Sequence, residues 1–505
     1  MFFRVTVSLV LSSMLFAAGG AAQQSSVTLG DDAKSFRIAA GSSFSAAGKA
    51  AEPLPVRSAA VRAVTRDLSE ALEIVKHNAA QAEHLENEAL LSSAINRMLN
   101  ELDPHSTYYT RKEFRDLNDE NRGRYFGIGI TLSNFTRDGQ TGCYIISVGR
   151  GTPAERAEFR FGDRITSIDG KDIAGLEPPA VRDLIRGPEG STVTISVTRS
   201  GHSGLRNVTS KRTKLLETSI PSAFIFEDRT GYIALTEGFN YSTADEFFSA
   251  FQTLRAGGMT SLLIDLRGNG GGIMDQAIRI AERFLPAGRL IVSQRGRNSS
   301  EDRVWRSNSL KPETLPLVVL VDENTASASE IFAGAMQDND RAVIVGSRTF
   351  GKGLIQDVIS LEDGSGLVLT SERYYTPSGR SIQREYSDGH LYDYFRQLER
   401  GTLIGKAQFA ARTAGGRTVY GGDGIQPDVV VPTKAWTAKD LADYEAAFFE
   451  AHESSLDNSA TQNIHVRWFQ AVAKGDSNLA ARVLLETDPQ FKAALEAAKN
   501  SPLAK

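Results

Sequence analysis

The sequence LVVLVDENTASASEIFAGAMQDNDRAVIVGSRTFGKGLIQ occupies residues 317–356 and contains the strongest structural signals of the chain. The apolar run from Leu317 to Val321 is typical of a short strand buried on both faces of a sheet. After a polar turn, small and apolar residues from Ile331 to Met336 favour a helix packed tightly on that sheet. Ser327 therefore lies where a strand becomes a helix, close to the free N–H groups of the first helical turn.

A second predicted strand, Ala342 to Val345, leads to Lys352, which is flanked by glycines. A serine at such a turn and a lysine on the neighbouring loop can act as a nucleophile and its base. The lysine accepts a proton only if burial or positive surroundings destabilise its ammonium, and proton transfer works best when its pKa falls to about 7–8. Taken alone, however, Ser327 is more typical of a helix cap and Lys352 of a solvated loop charge.

The same stretch contains a pattern that partly matches a nucleotide-binding loop. Residues 346–352, GSRTFGK, have the spacing of a phosphate-binding P-loop. A P-loop needs Ser or Thr after its lysine to hold magnesium, and Gly353 stands at that position. The sequence therefore does not predict nucleotide binding here.

Several motifs of this stretch, taken in order, resemble those of the carboxyl-terminal processing (tail-specific) proteases, serine endopeptidases of the S41 family. The resemblance implies that Ser327 is the nucleophile, that Lys352 is the general base and that Gln356 helps to orient the lysine. It matches Asp338 to an acidic position with a structural or supporting role. The motifs are ASASEI at 326–331, QD at 337–338, and FGKG at 350–353.

A glycine-rich segment, DLRGNGGG at 265–272, follows another predicted buried strand. It fits the dinucleotide-binding pattern poorly and resembles the D-L-R-x-N-x-G-G segment of the same family, with Gly270 in place of a commoner proline. The resemblance implies that Gly272 supplies one backbone N–H to an oxyanion hole and that Ala328 supplies the second. Such donors stabilise the negative charge that develops on the attacked carbonyl oxygen.

The composition excludes several other classes of protein. The 505 residues suffice for two or three domains, 41% of them are hydrophobic, and the net charge of −4 gives no sign of nucleic-acid binding. Cys143 is the single cysteine and cannot form an internal disulfide. The seven histidines lack paired metal-ligand spacing, so no metal site is predicted, and the proposed chemistry requires no cofactor.

The N-terminal part of the chain indicates export. Residues 1–22 read as a signal peptide, which predicts a periplasmic protein, and residues 23–55 as a flexible leader. Helical spacing predicts an N-terminal helical segment at 56–122, which ends near the sequence LDPHSTY. His105 in that turn could be a catalytic base, but beside a proline it is more typical of a structural hydrogen-bonding residue.

Residues 123–205 resemble a PDZ domain, in which a peptide adds a strand to a sheet edge and a glycine loop holds its terminal carboxylate. The candidate loop consists of Gly127, Ile128, Gly129 and Ile130, although such glycines alone also suit an ordinary turn at the start of a strand. Arg186 ends the predicted helix of this domain. The resemblance implies that this arginine couples ligand binding to the protease core.

The expected fold is a mixed α/β (α+β) protease core at 206–434 with an inserted β-rich PDZ domain and helical N- and C-terminal segments. Within the core, residues 386–421 have the character of an insertion, and residues 435–505 predict a helical C-terminal appendage. The resemblance covers residues 56–431 and says nothing of the remainder.

The expected function is that of an exported serine endopeptidase that recognises the C-terminal region of protein or peptide substrates. A non-catalytic peptide-binding protein on the same fold is the alternative, although a pure binder has no need of Ser327, Lys352 and Gln356. A trypsin-like protease would need a His-Asp-Ser triad, which is not apparent. The sequence leaves open whether an adaptor or activator is needed and whether the helical ends form a homo-oligomer or cover the site as lids.

Overall fold

The computed structural model describes residues 59–80, 86–297, 302–386, 409–453 and 461–500. The predicted signal peptide and leader lie outside these ranges, as do residues 387–408 of the predicted insertion. No helix of the described residues is both long and apolar enough to cross a membrane.

The described helices are α1 (Ala59–Asn78), α2 (Asn87–Asn100), α3 (Arg111–Asn121), α4 (Pro153–Arg156), α5 (Pro178–Ile185), α6 (Thr243–Ala256), α7 (Met274–Glu282), α8 (Ala328–Asp338), α9 (Ala438–Glu453), α10 (Ile464–Ala473), α11 (Ser477–Leu485) and α12 (Pro489–Lys499). The first strands are β1 (Thr107–Tyr109), β2 (Arg124–Gly127), β3 (Ile130–Arg137), β4 (Gln140–Val148), β5 (Arg164–Ile168), β6 (Lys171–Asp172), β7 (Thr192–Thr198), β8 (Arg206–Lys211) and β9 (Thr213–Leu216). The remaining strands are β10 (Ser222–Ile225), β11 (Thr230–Ala234), β12 (Ser261–Asp265), β13 (Leu290–Gly296), β14 (Arg303–Arg306), β15 (Leu317–Val321), β16 (Val343–Gly346), β17 (Leu354–Ser360), β18 (Gly366–Tyr375), β19 (Ala410–Arg412), β20 (Thr418–Tyr420) and β21 (Val429–Val430).

The protease core is built on a six-stranded sheet with the order β10-β11-β12-β15-β16-β21. All neighbouring pairs are parallel except β10 and β11. Every residue of β15 is buried, as the apolar run predicted. Alternate residues face opposite sides: Val319 packs with the cluster formed by α6, α7 and α8, whereas Val318 packs with α12. The sheet is therefore covered on both faces, which explains why its central strands are continuously apolar.

A second sheet brings the N-terminal turn to the core. Its main order is β1-β18-β13-β14, and β17 also pairs with β18. Because β1 follows the LDPHS sequence directly and pairs with β18, that turn lies beside β18, the strand with which β17 also pairs. The turn is held by Asp103, whose carboxylate accepts the backbone N–H groups of His105 and Ser106 at 2.7 and 2.8 Å.

The inserted domain forms a sheet with the order β3-β4-β5-β7-β8, with β6 beside β5. This sheet continues past residue 205, the predicted end of the domain, because β8 pairs with β7 from Thr192 through Val197. Strand β3 lies at the edge of the sheet and packs near α5. A two-stranded ribbon of β2 and β9 carries the chain into and out of the domain.

The C-terminal helices are integrated into the fold and contact both other parts of the chain. Helices α9 and α10 share a hydrophobic cluster with Phe135 and Ile146 of the inserted domain. Helices α11 and α12 instead pack on the core sheet, where Phe491 lies in the cluster that contains Val318. The segment thus joins the two domains. The expected fold class, a mixed α/β core with a PDZ domain and helical ends, is confirmed.

Candidate active site

Three loops converge at one edge of the core sheet. They follow β12, β15 and β16, and they carry the DLRGNGGG segment, Ser327 and Lys352, respectively. Because these strands are parallel, their carboxyl ends meet at the same edge, where open α/β sheets bind their ligands. The fold therefore brings together the segments that were singled out in the sequence.

Ser327 has an unusual backbone conformation. Its φ is 58° and its ψ is −118°, a region that residues with a side chain rarely adopt. Such a conformation costs about 1–3 kcal/mol and is found preferentially at functional sites. The residue is fully buried, and its Oγ forms no hydrogen bond with Lys352 or with any other described group. Ser327 is therefore held by the backbone at the start of α8, with its hydroxyl left available.

Glu330 joins the serine turn to the lysine loop. Its Oε2 accepts the N–H groups of Ser327 and Lys352, each at 2.9 Å. Its Oε1 accepts the Gly351 N–H at 2.8 Å and the Thr349 hydroxyl at 2.5 Å. Burial raises the pKa of Glu330, and these hydrogen bonds act in the opposite direction. A single carboxylate thus fixes the relative position of the two predicted catalytic residues.

Lys352 is fully buried, and its Nζ donates to Gln356 Oε1 at 2.7 Å. Gln356 is itself oriented by the N-terminal turn, because its Nε2 donates to the His105 carbonyl at 2.7 Å. Burial lowers the pKa of Lys352 to about 7, although the charges of Asp103 and Glu330 act to raise it. A lysine with this pKa is substantially neutral at physiological pH and can accept a proton.

Tyr374 forms a second connection between the two loops. Its buried hydroxyl lies 2.7 Å from the Lys352 carbonyl and 3.1 Å from the Ser327 carbonyl. Tyr374 belongs to β18, so the second sheet contributes directly to the position of both residues.

Gly271 lies against the serine turn, and Gly272, the next residue, lies against the backbone of Phe239. A Cβ on Gly271 would be 2.7 Å from Ser327 Cβ and 2.8 Å from the Ala328 nitrogen, so a side chain there would collide with the turn. The Gly271 N–H donates to Asn269 Oδ1 at 2.9 Å. The N–H groups of Gly272 and Ala328, by contrast, donate to no group of the described chain. Within the described residues, the two predicted oxyanion donors are therefore free, and Ala328 directly follows Ser327 in the chain.

The predicted carboxylate loop begins the edge strand of the inserted domain. The carbonyls of Ile128 and Gly129 are held by the N–H groups of Ala154 and Gly149, each at 2.9 Å. Gly129 has a φ of 87°, and a Cβ there would lie 2.4 Å from Thr152. The N–H groups of Ile128 and Gly129 have no acceptor within the described ranges, so both can receive an anion.

Arg186 lies away from the three catalytic loops. One of its Nη atoms is 3.4 Å from a carboxylate oxygen of Glu120, and its guanidinium carbon is 4.8 Å from the centre of the Tyr125 ring. The arginine therefore contacts α3 and the ribbon that enters the domain, not the serine or the lysine.

The structure also locates two residues that the sequence left in doubt. The His105 side chain is buried, and burial followed by the charge of Lys352 lowers its pKa well below the usual value. Its carbonyl accepts a hydrogen bond from Gln356. Asp338 pairs with Arg380 at 2.8 Å and accepts the Ser378 hydroxyl at 2.6 Å. This arrangement agrees with the structural role expected for Asp338.

The sequence analysis assigned no role to Glu330 or Tyr374. A glutamate three residues after a serine at the start of a helix is the capping-box pattern, so the contact between Glu330 and the Ser327 N–H could have been predicted. The contacts of Glu330 with the lysine loop could not, because they depend on how two parallel strands place their following loops. Tyr374 begins the sequence YYTPSGR at 374–380, which resembles a Y-x-T-P-x-G-R segment of the same family, but the resemblance assigns this tyrosine no role.

We expect Glu330→Gln to lower kcat by about 10²-fold, because displacement of a catalytic group by about 1 Å is sufficient for such a loss. The amide offers one acceptor oxygen to four donors, and each buried donor left unsatisfied costs about 1–3 kcal/mol. Peptidase assays and denaturant unfolding measure both effects. Glu362→Gln is the matched control, since Glu362 is exposed. Unchanged kcat in a folded Glu330→Gln protein would contradict the positioning role.

Comparisons with known proteins agree with this arrangement. Residues 229–394 match the model of peptidase family S41, and residues 144–199 match a PDZ domain. A carboxy-terminal-processing protease of Bartonella bacilliformis is 36% identical over 307 residues, which cover 59% of this chain and 68% of that protein. A probable CtpA-like serine protease of Staphylococcus haemolyticus is 33% identical over 295 residues, 58% of each chain.

Among solved structures, a photosystem II D1 C-terminal processing protease shares 27% sequence identity with a TM-score of 0.39, over 72% of this chain and 92% of that one. The family assignment rests on the sequence relatives. With the Bartonella protein matched over more than two thirds of its length, this chain belongs to peptidase family S41, a family of serine proteases.

Proposed function

We propose that this peptidase cleaves exported proteins after its PDZ domain has bound their C-terminal residues, and that it does so by acyl transfer at Ser327 with Lys352 as base. The observation that supports this most strongly is the burial of Lys352, which lowers its pKa to about 7 on a loop tied to the serine turn. A buried lysine is costly to a fold and is rarely retained without a function.

The proposed reaction begins when Ser327 Oγ attacks the scissile carbonyl carbon and neutral Lys352 takes the hydroxyl proton. The N–H groups of Gly272 and Ala328 stabilise the resulting oxyanion. Lys352 then returns its proton to the leaving amine, and water releases the acyl group from Ser327. Ser327 Oγ has no hydrogen-bond partner among the residues that the structure describes, and catalytic hydrogen bonds commonly tighten only when substrate is bound.

Recognition of the substrate tail is proposed for the groove between β3 and α5. The free N–H groups of Ile128 and Gly129 support binding of a terminal carboxylate, and β3 is an edge strand to which an extended peptide can add. The predicted signal peptide at 1–22 supports action on periplasmic proteins.

A chain of contacts supports a coupling role for Arg186. Arg186 contacts Glu120, and the neighbouring Asn121 carbonyl accepts the Tyr241 N–H at 2.9 Å. Phe239, two residues before Tyr241, forms two hydrogen bonds at the end of the glycine-rich segment 265–272, the proposed oxyanion loop. Its N–H donates to Gly271 O, and its carbonyl accepts the Ile273 N–H, each at 2.8 Å. The PDZ helix is thus connected to the oxyanion loop through the linking segments.

The dyad is tested by degradation of an unstructured reporter with an apolar C-terminal tail. We expect Ser327→Ala and Lys352→Ala to abolish cleavage while the protein stays folded. Lys352→Arg should be equally inactive, because a guanidinium does not lose its proton. Ser249→Ala, which changes an exposed serine of α6, should keep full activity. Cleavage that survives at Ser327→Ala or Lys352→Ala would refute the mechanism.

The pKa of Lys352 predicts the pH dependence of the reaction. Because only the neutral amine accepts the serine proton, kcat/KM should fall about tenfold per pH unit below about pH 7 and level off above it. Tail binding by the Ser327→Ala variant, measured over the same range, separates chemistry from recognition. A flat rate profile from about pH 5 to about pH 8 would show that no base of this pKa takes part.

For Arg186→Ala we expect the preference for tailed over untailed reporters to decrease by about tenfold, consistent with coupling free energies of about 1–3 kcal/mol. Cleavage of an untailed peptide should be unchanged, because Arg186 does not contact the catalytic loops. Arg206→Ala, at a half-exposed arginine of the same domain, is the control. If both reporters retained their wild-type rates in Arg186→Ala, the arginine would have no coupling role.

A further inference from the structure

The far end of the edge strand β3 is covered by helix α9. Glu445 Oε1 accepts the backbone N–H of Thr136 at 3.1 Å. The guanidinium of Arg137, the last residue of β3, lies 5.1 Å from the centre of the Phe449 ring and pairs with Glu453. Successive turns of the helix therefore contact the last two residues of the strand.

The helix is anchored at this place by aromatic packing. The rings of Phe135 and Phe448 are stacked, with centroids 3.9 Å apart and planes inclined by 9°. Both side chains are fully buried, and Tyr444 packs against Phe135 from one turn earlier. Gly162 leaves room for the end of the helix, because a Cβ there would lie 1.9 Å from the ring of His452. Such packing fixes α9 relative to β3.

The Thr136 N–H belongs to the edge that a peptide would use. Strand β3 pairs with β4 in unbroken register from Leu132 to Arg137. Backbone groups of alternate residues point to opposite sides of a strand within the sheet. Because the Thr136 N–H points to Glu445 and away from β4, those of Leu132 and Asn134 also point to the free edge. An added strand would pair at Leu132 and Asn134 but would meet Glu445 at Thr136.

We propose that α9 closes the tail-binding groove and limits the recognised segment to about five C-terminal residues, with Glu445 as the residue that sets this limit. The proposal rests on tail binding by the PDZ domain. A tail whose carboxylate occupies the loop at Gly127 to Ile130 runs antiparallel to β3 and pairs with residues 130–134. Beyond Asn134 the substrate must leave the strand edge, so its upstream sequence is not read by this groove.

This arrangement predicts the class of substrate. A protein qualifies if it ends in a short extended segment with a free carboxylate, whatever sequence precedes that segment. A longer groove would instead require a longer extended tail and would select its sequence at more positions, because each alternate residue of an added strand meets its own pocket.

The test measures binding of nested peptides to the full chain carrying Ser327→Ala, which prevents turnover. The peptides share one apolar C-terminal residue and range from about four to about ten residues. In the protein that keeps Glu445, affinity should rise with peptide length up to about five residues and then stay constant. With Glu445→Ala, two further residues should raise affinity by about threefold to tenfold, as one or two added backbone hydrogen bonds would.

Two variants control for charge and for helix stability. Glu445→Gln keeps an oxygen acceptor for the Thr136 N–H and should show the same limit as the unaltered groove. Glu450→Ala removes an exposed carboxylate from the same helix and should also leave the limit unchanged.

The length series also separates failure of this inference from failure of the proposed function. If short tails bind but affinity keeps rising beyond about five residues with Glu445 present, or if Glu445→Ala leaves the limit in place, the inference is wrong while tail recognition stands. If no tail of any length binds, tail recognition by the PDZ domain is itself refuted and the limit with it.

Discussion

The active site depends on the placement of one buried carboxylate. Glu330 receives four hydrogen bonds from two loops and, together with the Tyr374 hydroxyl, holds the Ser327 turn against the Lys352 loop. A carboxylate close to a catalytic lysine should stabilise the ammonium and oppose its function as a base. In this fold the oxygens of Glu330 accept hydrogen bonds from backbone and hydroxyl donors, and the effect of burial on the Lys352 pKa exceeds that of the Glu330 charge.

Asp103, the second acid that acts on Lys352, is engaged in the same way. Its oxygens accept the N–H groups of His105 and Ser106, the Ser106 hydroxyl and the Thr370 hydroxyl. The partial charges of these donors oppose the field of the carboxylate. The Lys352 amine itself contacts the neutral amide of Gln356, so burial outweighs the two negative charges and the pKa falls to about 7.

The sequence was most informative where local pattern and tertiary position agree. The apolar run of β15 predicted a strand covered on both faces, and the ASASE and FGKG motifs placed Ser327 and Lys352 on converging loops. The position of Gln356 followed from the family resemblance, but its contact with the His105 carbonyl joins residues 251 positions apart and has no local signature. Tyr374 was missed for the same reason. The effect of Glu330 and Asp103 on the pKa of Lys352 could not be predicted from the sequence either. It depends on which donors form hydrogen bonds with each carboxylate oxygen.

The C-terminal helices illustrate a different limit of sequence reasoning. Their spacing predicted helices but could not say what covers their apolar faces, and the segment was therefore expected to be an appendage. In the structure its first half packs on the PDZ sheet and its second half on the core sheet. Asp488, the residue before α12, lies 2.5 Å from the guanidinium of Arg267, which begins the oxyanion loop.

Because the C-terminal helices contact both domains, they fix the orientation of the PDZ domain, which therefore does not depend on a linker alone. A domain joined to the core only by the two-stranded ribbon of β2 and β9 would be free to move. Because α9 and α10 share a core with the PDZ sheet and α12 shares one with the catalytic sheet, a reorientation of the domain must separate buried aromatic residues such as Phe135 and Phe448. The cost of separating such buried rings favours small displacements of the PDZ domain over large ones.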